Sequence, residues 1–233
     1  MHSRTEALLG TEAMEILRAA RVAVFGIGGV GSYIAEALAR AGIGTLILVD
    51  GDAVARSNMN RQLIAGVSTV GMRKTEAAAA RIREIAPDCH VITHDLFYLP
   101  ENADAISFAG LSYVADAVDT VSAKLTIIER AAAAGVPVIS SMGTGNKLHP
   151  EMFEITTVEK TSVCPLARVM RRELKNRGIR GVKVLYSKEE PRAVSVPDAD
   201  GIRRAVPASI SFVPGAAGLI IAGEIVRDLT GIR

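Results

Sequence analysis

The residues with the clearest chemical meaning stand in the first half of this 233-residue chain. Gly26, Gly28, Gly29 and Gly31 form a Gly-x-Gly-Gly-x-Gly run that follows an apolar stretch and opens a helical pattern. At such a junction the first glycine permits a tight turn out of a strand. The next lets backbone approach a phosphate with no side chain between them, and the last lets the helix lie close to the sheet. The helix N-terminus contributes unpaired N–H groups and the positive end of its dipole, so the junction is an anion cradle before any cation joins it. Asp50 follows at the separation at which an acidic side chain meets a nucleotide ribose.

Glycines and Asp50 alone favour a dinucleotide such as NAD. The polar residues downstream tip the balance. Asn58, Asn60, Arg61, Gln62 and Lys74 gather amides and cations after Asp50, a set better matched to a triphosphate than to a single pyrophosphate bridge. Asp119, just past the end of a predicted strand, is placed to hold Mg²⁺, which takes one or two carboxylates and completes its shell with phosphate oxygens. Together they describe ATP with its metal. Asp52 serves either as a ligand or as a turn cap. Asp116 has the opposite parity to Asp119 on the strand and reads as structural.

These residues need a sheet to bring them to one edge. The apolar run at 21–25 predicts a strand, 31–43 a helix ended by Gly42 and Gly44, and 45–50 a strand buried on both faces, making a βαβ unit. A helix or helix pair at 5–19 precedes it. Beyond it come an alanine-rich helix at 72–86 with Lys74 in its first turn, strands at 90–95 and 112–119, a helix at 121–134 and a short strand at 136–141. After Gly143-Thr144-Gly145 the alternation weakens. Strands at 153–158, 182–186 and 193–196, a basic helix at 165–177 and a last helix at 215–228 are expected there. The fold class is α/β: a Rossmann-like, doubly wound, mostly parallel sheet with helices on both faces. One domain over 1–233 carries a helical arm at 1–20 and a basic C-terminal elaboration from about 150.

Composition narrows the class. Hydrophobic residues make up 49% of the chain but aromatics only 4%, as expected of a parallel sheet cored by Ala, Val, Ile and Leu. A net charge of +2 announces no nucleic-acid binder globally, yet residues 168–188 hold eight Lys or Arg against one acid, Glu173, so any RNA contact must be local. Cys89 and Cys164 form neither a disulfide framework nor a zinc-type pair. Neither a leader pattern nor a membrane-length apolar run is present, and a cytoplasmic location is expected. Cys164 precedes Pro165 at a helix start, where a thiol can become reactive, but a small buried cysteine is the commoner reading. His90 and His94 share a strand face without a third ligand.

In order and spacing, Gly26-x-Gly28-Gly29-x-Gly31, Asp50-x-Asp52, Asn58-x-Asn60-Arg61-Gln62, Lys74 and Asp119 resemble the adenylating domain shared by ubiquitin-activating enzymes and bacterial sulfur-carrier-protein adenylyltransferases. That resemblance implies ATP-dependent adenylation of a carboxylate, with Asp50 on the ribose, Arg61 and Lys74 on the phosphates and Asp119 on Mg²⁺. Arg4 resembles an N-terminal arginine that reaches into the neighbouring subunit's ATP site, which implies a homodimer. The sulfur-carrier branch usually has two CxxC pairs, absent here. Along almost its whole length the chain instead resembles the tRNA threonylcarbamoyladenosine dehydratase family. The carriers are SRTEALLG at 3–10, KTSVCPLAR at 160–168 with Arg171, Arg172, Glu173 and Leu174 after it, VLYSKEEP at 184–191 and SFVPG at 211–215.

The closer resemblance implies a tRNA substrate bearing N6-threonylcarbamoyladenosine. Its threonyl carboxylate attacks the α-phosphate of ATP and expels pyrophosphate. The carbamoyl group then closes on the activated carbonyl and expels AMP, so the net change is loss of water and no enzymic nucleophile is required. Activation of a sulfur-carrier C-terminus and NAD-dependent oxidoreduction stay open as alternatives, and a sulfur-transfer protein as a further partner. Arg192, Lys147 and the Gly143-Thr144-Gly145 loop are placed to read the modified nucleoside by position alone.

Overall fold

The computed structural model describes residues 2–197, 203–205 and 208–232. Strand β1 (Arg21–Phe25) is buried from Val22 onward because both of its faces are covered. Val22 and Val24 point into one apolar cluster, Ala23 and Phe25 into another. β2 (Thr45–Val49) pairs with it in parallel, Val22 opposite Leu46 and Val24 opposite Leu48, and divides its side chains the same way. Continuous apolar runs, rather than alternation, follow from helices on both faces.

Between these strands α3 (Gly31–Ala41) buries Ile34, Ala35, Leu38 and Ala39. Fully covering a side chain such as Ile34 or Leu38 contributes about 1.5–3 kcal/mol over leaving it exposed. Gly42 ends α3 in the left-handed conformation at φ 100°, its N–H returning to carbonyls of the last turn. Two short helices precede the sheet, α1 (Ser3–Leu9) and α2 (Thr11–Ala19).

The chain then adds α4 (Lys74–Ile85), β3 (His90–His94), β4 (Tyr113–Asp116), α5 (Val121–Ala134), β5 (Val138–Ser141), β6 (Phe153–Thr157), α6 (Pro165–Asn176), β7 (Lys183–Ser187), β8 (Ser195–Pro197), β9 (Arg203–Ala205) and α7 (Phe212–Thr230). The main sheet runs β3-β2-β1-β4-β5-β7-β6, parallel except for β6 against β7, and β8 pairs with β9 apart from it. Winding reverses between β1 and β4, and the C-terminal edge at such a reversal is where doubly wound sheets take ligands.

Several bounds differ from expectation. β4 stops at Asp116 rather than 119, because Asp116 folds its carboxylate onto the N–H of Val118 and turns the chain. α7 starts at Phe212 rather than 215. Pro214 lies in its first turn, where a missing N–H removes no helical bond. Gly218 of α7 presses so closely on α3 that a Cβ would fall 2.5 Å from the carbonyl oxygen of Val30.

Candidate active site

A cleft of about 470 Å³ opens at the β1/β4 reversal. The glycines at its floor have separate reasons. Gly26 has φ +84°, and a Cβ there would meet the Ala117 carbonyl at 2.7 Å. At Gly31 a Cβ would fall 1.7 Å from the Gly26 oxygen, so only glycine lets α3 start so close to β1. At Gly28, by contrast, a Cβ meets nothing nearer than the Gln62 amide nitrogen at 3.8 Å. The fold does not need Gly28 bare, and a group entering the cleft does. α3 begins here without a side-chain cap, so its first-turn N–H groups are not taken by a side chain. Ser32 stiffens the turn, its hydroxyl donating to the Gly28 carbonyl at 2.6 Å and accepting from the Leu63 N–H at 3.2 Å.

Asp50 ends the neighbouring strand and is pinned from two sides. It accepts the buried Ile27 N–H at 2.7 Å and the Asp52 N–H at 2.8 Å. Lys74, at the first position of α4, reaches back to this corner, with Nζ 2.6 Å from Asp52 and 3.7 Å from Asp50. Asn58, Arg61 and Gln62 come from a loop folded by local bonds. The Asn58 side chain accepts from the Ala55 N–H, and Arg61 Nη1 donates to Ser57 O and Asn60 Oδ1. Gln62 Oε1 is buried with no hydrogen-bond partner, an acceptor left open at the cleft wall. Asp119 is exposed along the opposite wall, its side-chain contact being a long bond from Thr120 at 3.4 Å.

The structure therefore brings Gly26, Gly28, Gly29, Asp50, Asp52, Asn58, Arg61, Gln62, Lys74 and Asp119 to one cleft, with Gly31 packed beneath it. Two expected residues take other positions. Asn60 donates to the Ser209 carbonyl at 3.0 Å and so ties down the segment ahead of α7. Arg4 is exposed on α1 and does not line the cleft of its own chain.

Sequence reasoning missed one wall altogether. Leu96, Phe97, Tyr98 and Leu99 follow β3 and form an apolar side to the cleft, with Phe97 59% exposed and Tyr98 packed on Phe25 at 4.9 Å between ring centroids. Their position past a strand end on the same sheet edge was the available signal. Thr144 and Gly145 line the cleft, but Lys147 is turned away. Its ammonium is buried and donates to the Glu189 carbonyl, and that burial lowers its pKa. Cys164 caps α6 inside an apolar cluster, and burial pushes the Cys89 thiol up to about 11.

The eight cations at 168–188 do not share one free face. Arg177 pairs with Glu129 and Glu173, Lys183 with Glu224 and Asp228, and Lys188 with Glu154. Arg168, Arg172 and Lys175 remain as an exposed stripe along α6. Among the described residues Arg168 and Lys175 have no acidic partner.

A glycine loop at the winding reversal, an acid ending the next strand and a lysine opening α4 define a nucleotide-binding α/β protein of the doubly wound class. The chain belongs to the ThiF family, which matches residues 2–233. It is 44% identical to the tRNA threonylcarbamoyladenosine dehydratase of Bacillus subtilis (strain 168), over 97% of this chain and 93% of that protein. Identity to the enzyme of that name from Escherichia coli (strain K12) is 38%, over 84% of this chain and 75% of the relative. The solved structure of E. coli tRNA N6-threonylcarbamoyladenosine dehydratase, TcdA, in complex with ATP superposes with a TM-score of 0.87 at 33% identity, covering 98% of this chain and 93% of that one.

Proposed function

We propose that this chain is an ATP-dependent tRNA threonylcarbamoyladenosine dehydratase, which adenylates the threonyl carboxylate of the modified nucleoside and closes it to the cyclic form with release of pyrophosphate and AMP. The observation that carries the reading is a triphosphate-sized set of donors at the winding reversal in a chain alike over its whole length to enzymes of that name. Relatives alike along the full chain favour this over activation of a sulfur carrier. The extra cations beyond the glycine loop favour it over NAD chemistry.

Each group then has a task. The N-terminus of α3 and bare Gly28 receive phosphate, Asp50 holds the ribose, and the Leu96 to Leu99 wall offers an apolar surface to the base. Gln62 Oε1 supplies an acceptor that at present has no donor. Arg61 and Lys74 oppose the charge that grows on the phosphates as the carboxylate attacks, the kind of fixed electrostatic help that lowers barriers most. Ring closure is intramolecular, and holding its two ends together corresponds to effective concentrations on the order of 10⁵ M or more. Water must be kept from the activated carboxyl meanwhile, a task for Thr144 and Gly145 and for Ala208 and Ser209 at the rim.

The residues present fit Mg²⁺. Among the described residues no cluster of three metal-ligating side chains exists, but the cleft has an exposed carboxylate, Asp119, which unlike Asp52 is not paired with Lys74, and Mg²⁺ bound to a nucleotide needs little more from the protein. Held there by Asp119, the ion would neutralise phosphate charge. A homodimer completes the reading, because α1 has no fully buried residue and leaves Leu8 82% exposed, while Arg4 is exposed and does not line its own cleft. A second copy that covers α1 brings Arg4 to a site. No helix among the described residues is long and apolar enough to cross a membrane, and a tRNA substrate sets the work in the cytoplasm.

The test is to incubate the protein with ATP, Mg²⁺ and tRNA carrying threonylcarbamoyladenosine, digest the tRNA and weigh the nucleoside. Loss of one water, dependent on ATP, is expected. An unchanged nucleoside, with ATP–pyrophosphate exchange only on addition of a sulfur-carrier protein, would move the chain to that branch.

A further inference from the structure

Directly below the cleft, where β4 and β5 end, lies a charged pair wholly out of contact with water. Lys124 and Asp116 are both 0% exposed. Lys124, from the first turns of α5, donates to Asp116 Oδ2 at 3.0 Å, to the Ser140 hydroxyl at 3.3 Å and to the Ser141 carbonyl at 2.7 Å, so each of its three protons has an acceptor. The Asp116 carboxylate is equally occupied. Besides Lys124 it accepts the Ser140 hydroxyl on Oδ2 and the Val118 N–H on Oδ1 at 3.2 Å.

Stability alone gives little reason for such a pair, because well-packed apolar side chains of similar volume often serve as well or better. What the pair does specify is geometry. Asp116 and Val118 begin the turn that carries Asp119 into the cleft. Ser140 and Ser141 end β5 and lead through Met142 and Gly143 to Thr144 and Gly145 on the cleft's other side. The two loops leave adjacent parallel strands, and besides the ladder between β4 and β5 their roots are joined by the Ser140–Asp116 hydrogen bond and by the Lys124 ammonium, which alone of these side chains reaches the Ser141 carbonyl as well as Asp116.

We infer that Lys124 is a positioning residue: through Asp116, the Ser140 hydroxyl and the Ser141 carbonyl together it sets the spacing between the Asp119 turn and the Thr144 loop, and thereby the affinity of the cleft for nucleotide in its Mg²⁺-bound form. The inference rests on the nucleotide reading above. Lys124 does not line the cleft. Its effect passes through the Val118 N–H, which orients the turn, and through the Ser141 carbonyl, which anchors the opposite loop.

Removing Lys124 alone strands a buried carboxylate, so the informative variant is neutral, Lys124→Met with Asp116→Asn. The asparagine keeps an acceptor for Val118 and a partner for the Ser140 hydroxyl, while the ammonium that ties Asp116 to the Ser141 carbonyl is lost. ATP affinity is measured by calorimetry on the whole protein across a Mg²⁺ series, beside thermal unfolding and turnover. The expected result is a cooperative fold and a rise of about tenfold in the Mg²⁺ needed for half-maximal ATP binding. ATP affinity without Mg²⁺ should move less than twofold, and kcat should fall more than KM rises. A folded variant with an unchanged Mg²⁺ requirement overturns the inference and leaves the pair a structural one. Should that variant not fold, Ser140→Ala, which takes away a single hydroxyl, carries the test. A rise of about threefold supports the inference and an unchanged value overturns it. The two readings fail separately. Wild-type protein that dehydrates no tRNA overturns the proposed reaction, while the binding titration, which needs only ATP and Mg²⁺, still judges Lys124.

Discussion

Lys74 Nζ lies 2.6 Å from Asp52 and 3.7 Å from Asp50, yet the two carboxylates hold it on unequal terms. Asp50 is buried and fixed by two backbone N–H groups, whereas the Asp52 side chain is 52% exposed and can turn back to water at little cost. A triphosphate entering the cleft is therefore expected to displace Asp52 and leave Asp50 in place. Lys74→Ala is expected to lower kcat/KM for ATP by about 10²–10³, the usual loss when one preorganised charge-stabilising donor is removed. Asp52→Asn should change it by less than about tenfold. Pyrophosphate release under matched conditions measures both, and equal losses would sink the assignment of Lys74 as the phosphate contact.

Gly28 and Gly31 separate folding from binding. A methyl at Gly31 has to pass through the Gly26 carbonyl, a 1.7 Å approach, so Gly31→Ala is expected to cost several kcal/mol, in the upper range for single substitutions, and to lower the yield of folded protein. A methyl at Gly28 finds 3.8 Å of clearance to Gln62 and projects where phosphate has to come. Gly28→Ala should keep its unfolding temperature within a few degrees of wild type while ATP affinity falls at least tenfold. Calorimetry and thermal melts on the two variants check the contrast. ATP binding retained by Gly28→Ala would remove the cradle from the argument.

The glycine loop, Asp50 and Lys74 were legible in the sequence for the reason these two glycines illustrate. Each is dictated by a local geometry that recurs wherever a strand, a tight turn and a helix meet a phosphate, so residue type and spacing carry the information. The same holds for β1, α3 and β2, whose bounds follow from apolar runs and the Gly42 cap. Contacts between residues far apart in sequence were not legible. Nothing in the run 168–188 announces that Glu129, Glu154, Glu224 and Asp228 pair with three of its eight cations, because those acids come from α5, β6 and α7. Residue type and spacing do not mark Leu96 to Leu99, since an apolar wall is defined by what it faces. Asp116 was recognised as structural by parity, but its burial against Lys124 depends on how β5 lies beside β4.

That sorting of cations yields a prediction for tRNA. Arg168 and Lys175 lie on an exposed stripe with no acidic partner among the described residues, whereas Arg177 and Lys183 are held by two acids each. Replacing Arg168 and Lys175 together by Ala is expected to weaken tRNA binding and to flatten the dependence of log affinity on log salt by about one to two. Arg177→Ala should leave that slope unchanged and cost stability of about 1 kcal/mol instead, as the loss of an exposed, networked pair does. Filter binding at several salt concentrations separates the two. A slope lowered by Arg177→Ala alone would relocate the RNA path to the groove between α5 and α6.

Arg4 provides the sharpest test of assembly. It is exposed on α1, outside its own cleft, and no residue of α1 is fully buried within the chain. If a second copy supplies Arg4 across a two-fold axis, every site combines Lys74 of one protomer with Arg4 of its partner. Arg4→Ala and Lys74→Ala proteins are then each nearly inactive. Mixing them in equal amounts and letting subunits exchange produces mixed dimers in which one site holds both wild-type residues and the other neither. Half of the dimers are mixed and half of their sites intact, so about a quarter of wild-type activity should return. Exchange is verified by differently tagged chains that co-purify. Mixed dimers that form yet regain no activity would show that Arg4 serves its own chain or none, and the role given to it in adenylation would fall with that result.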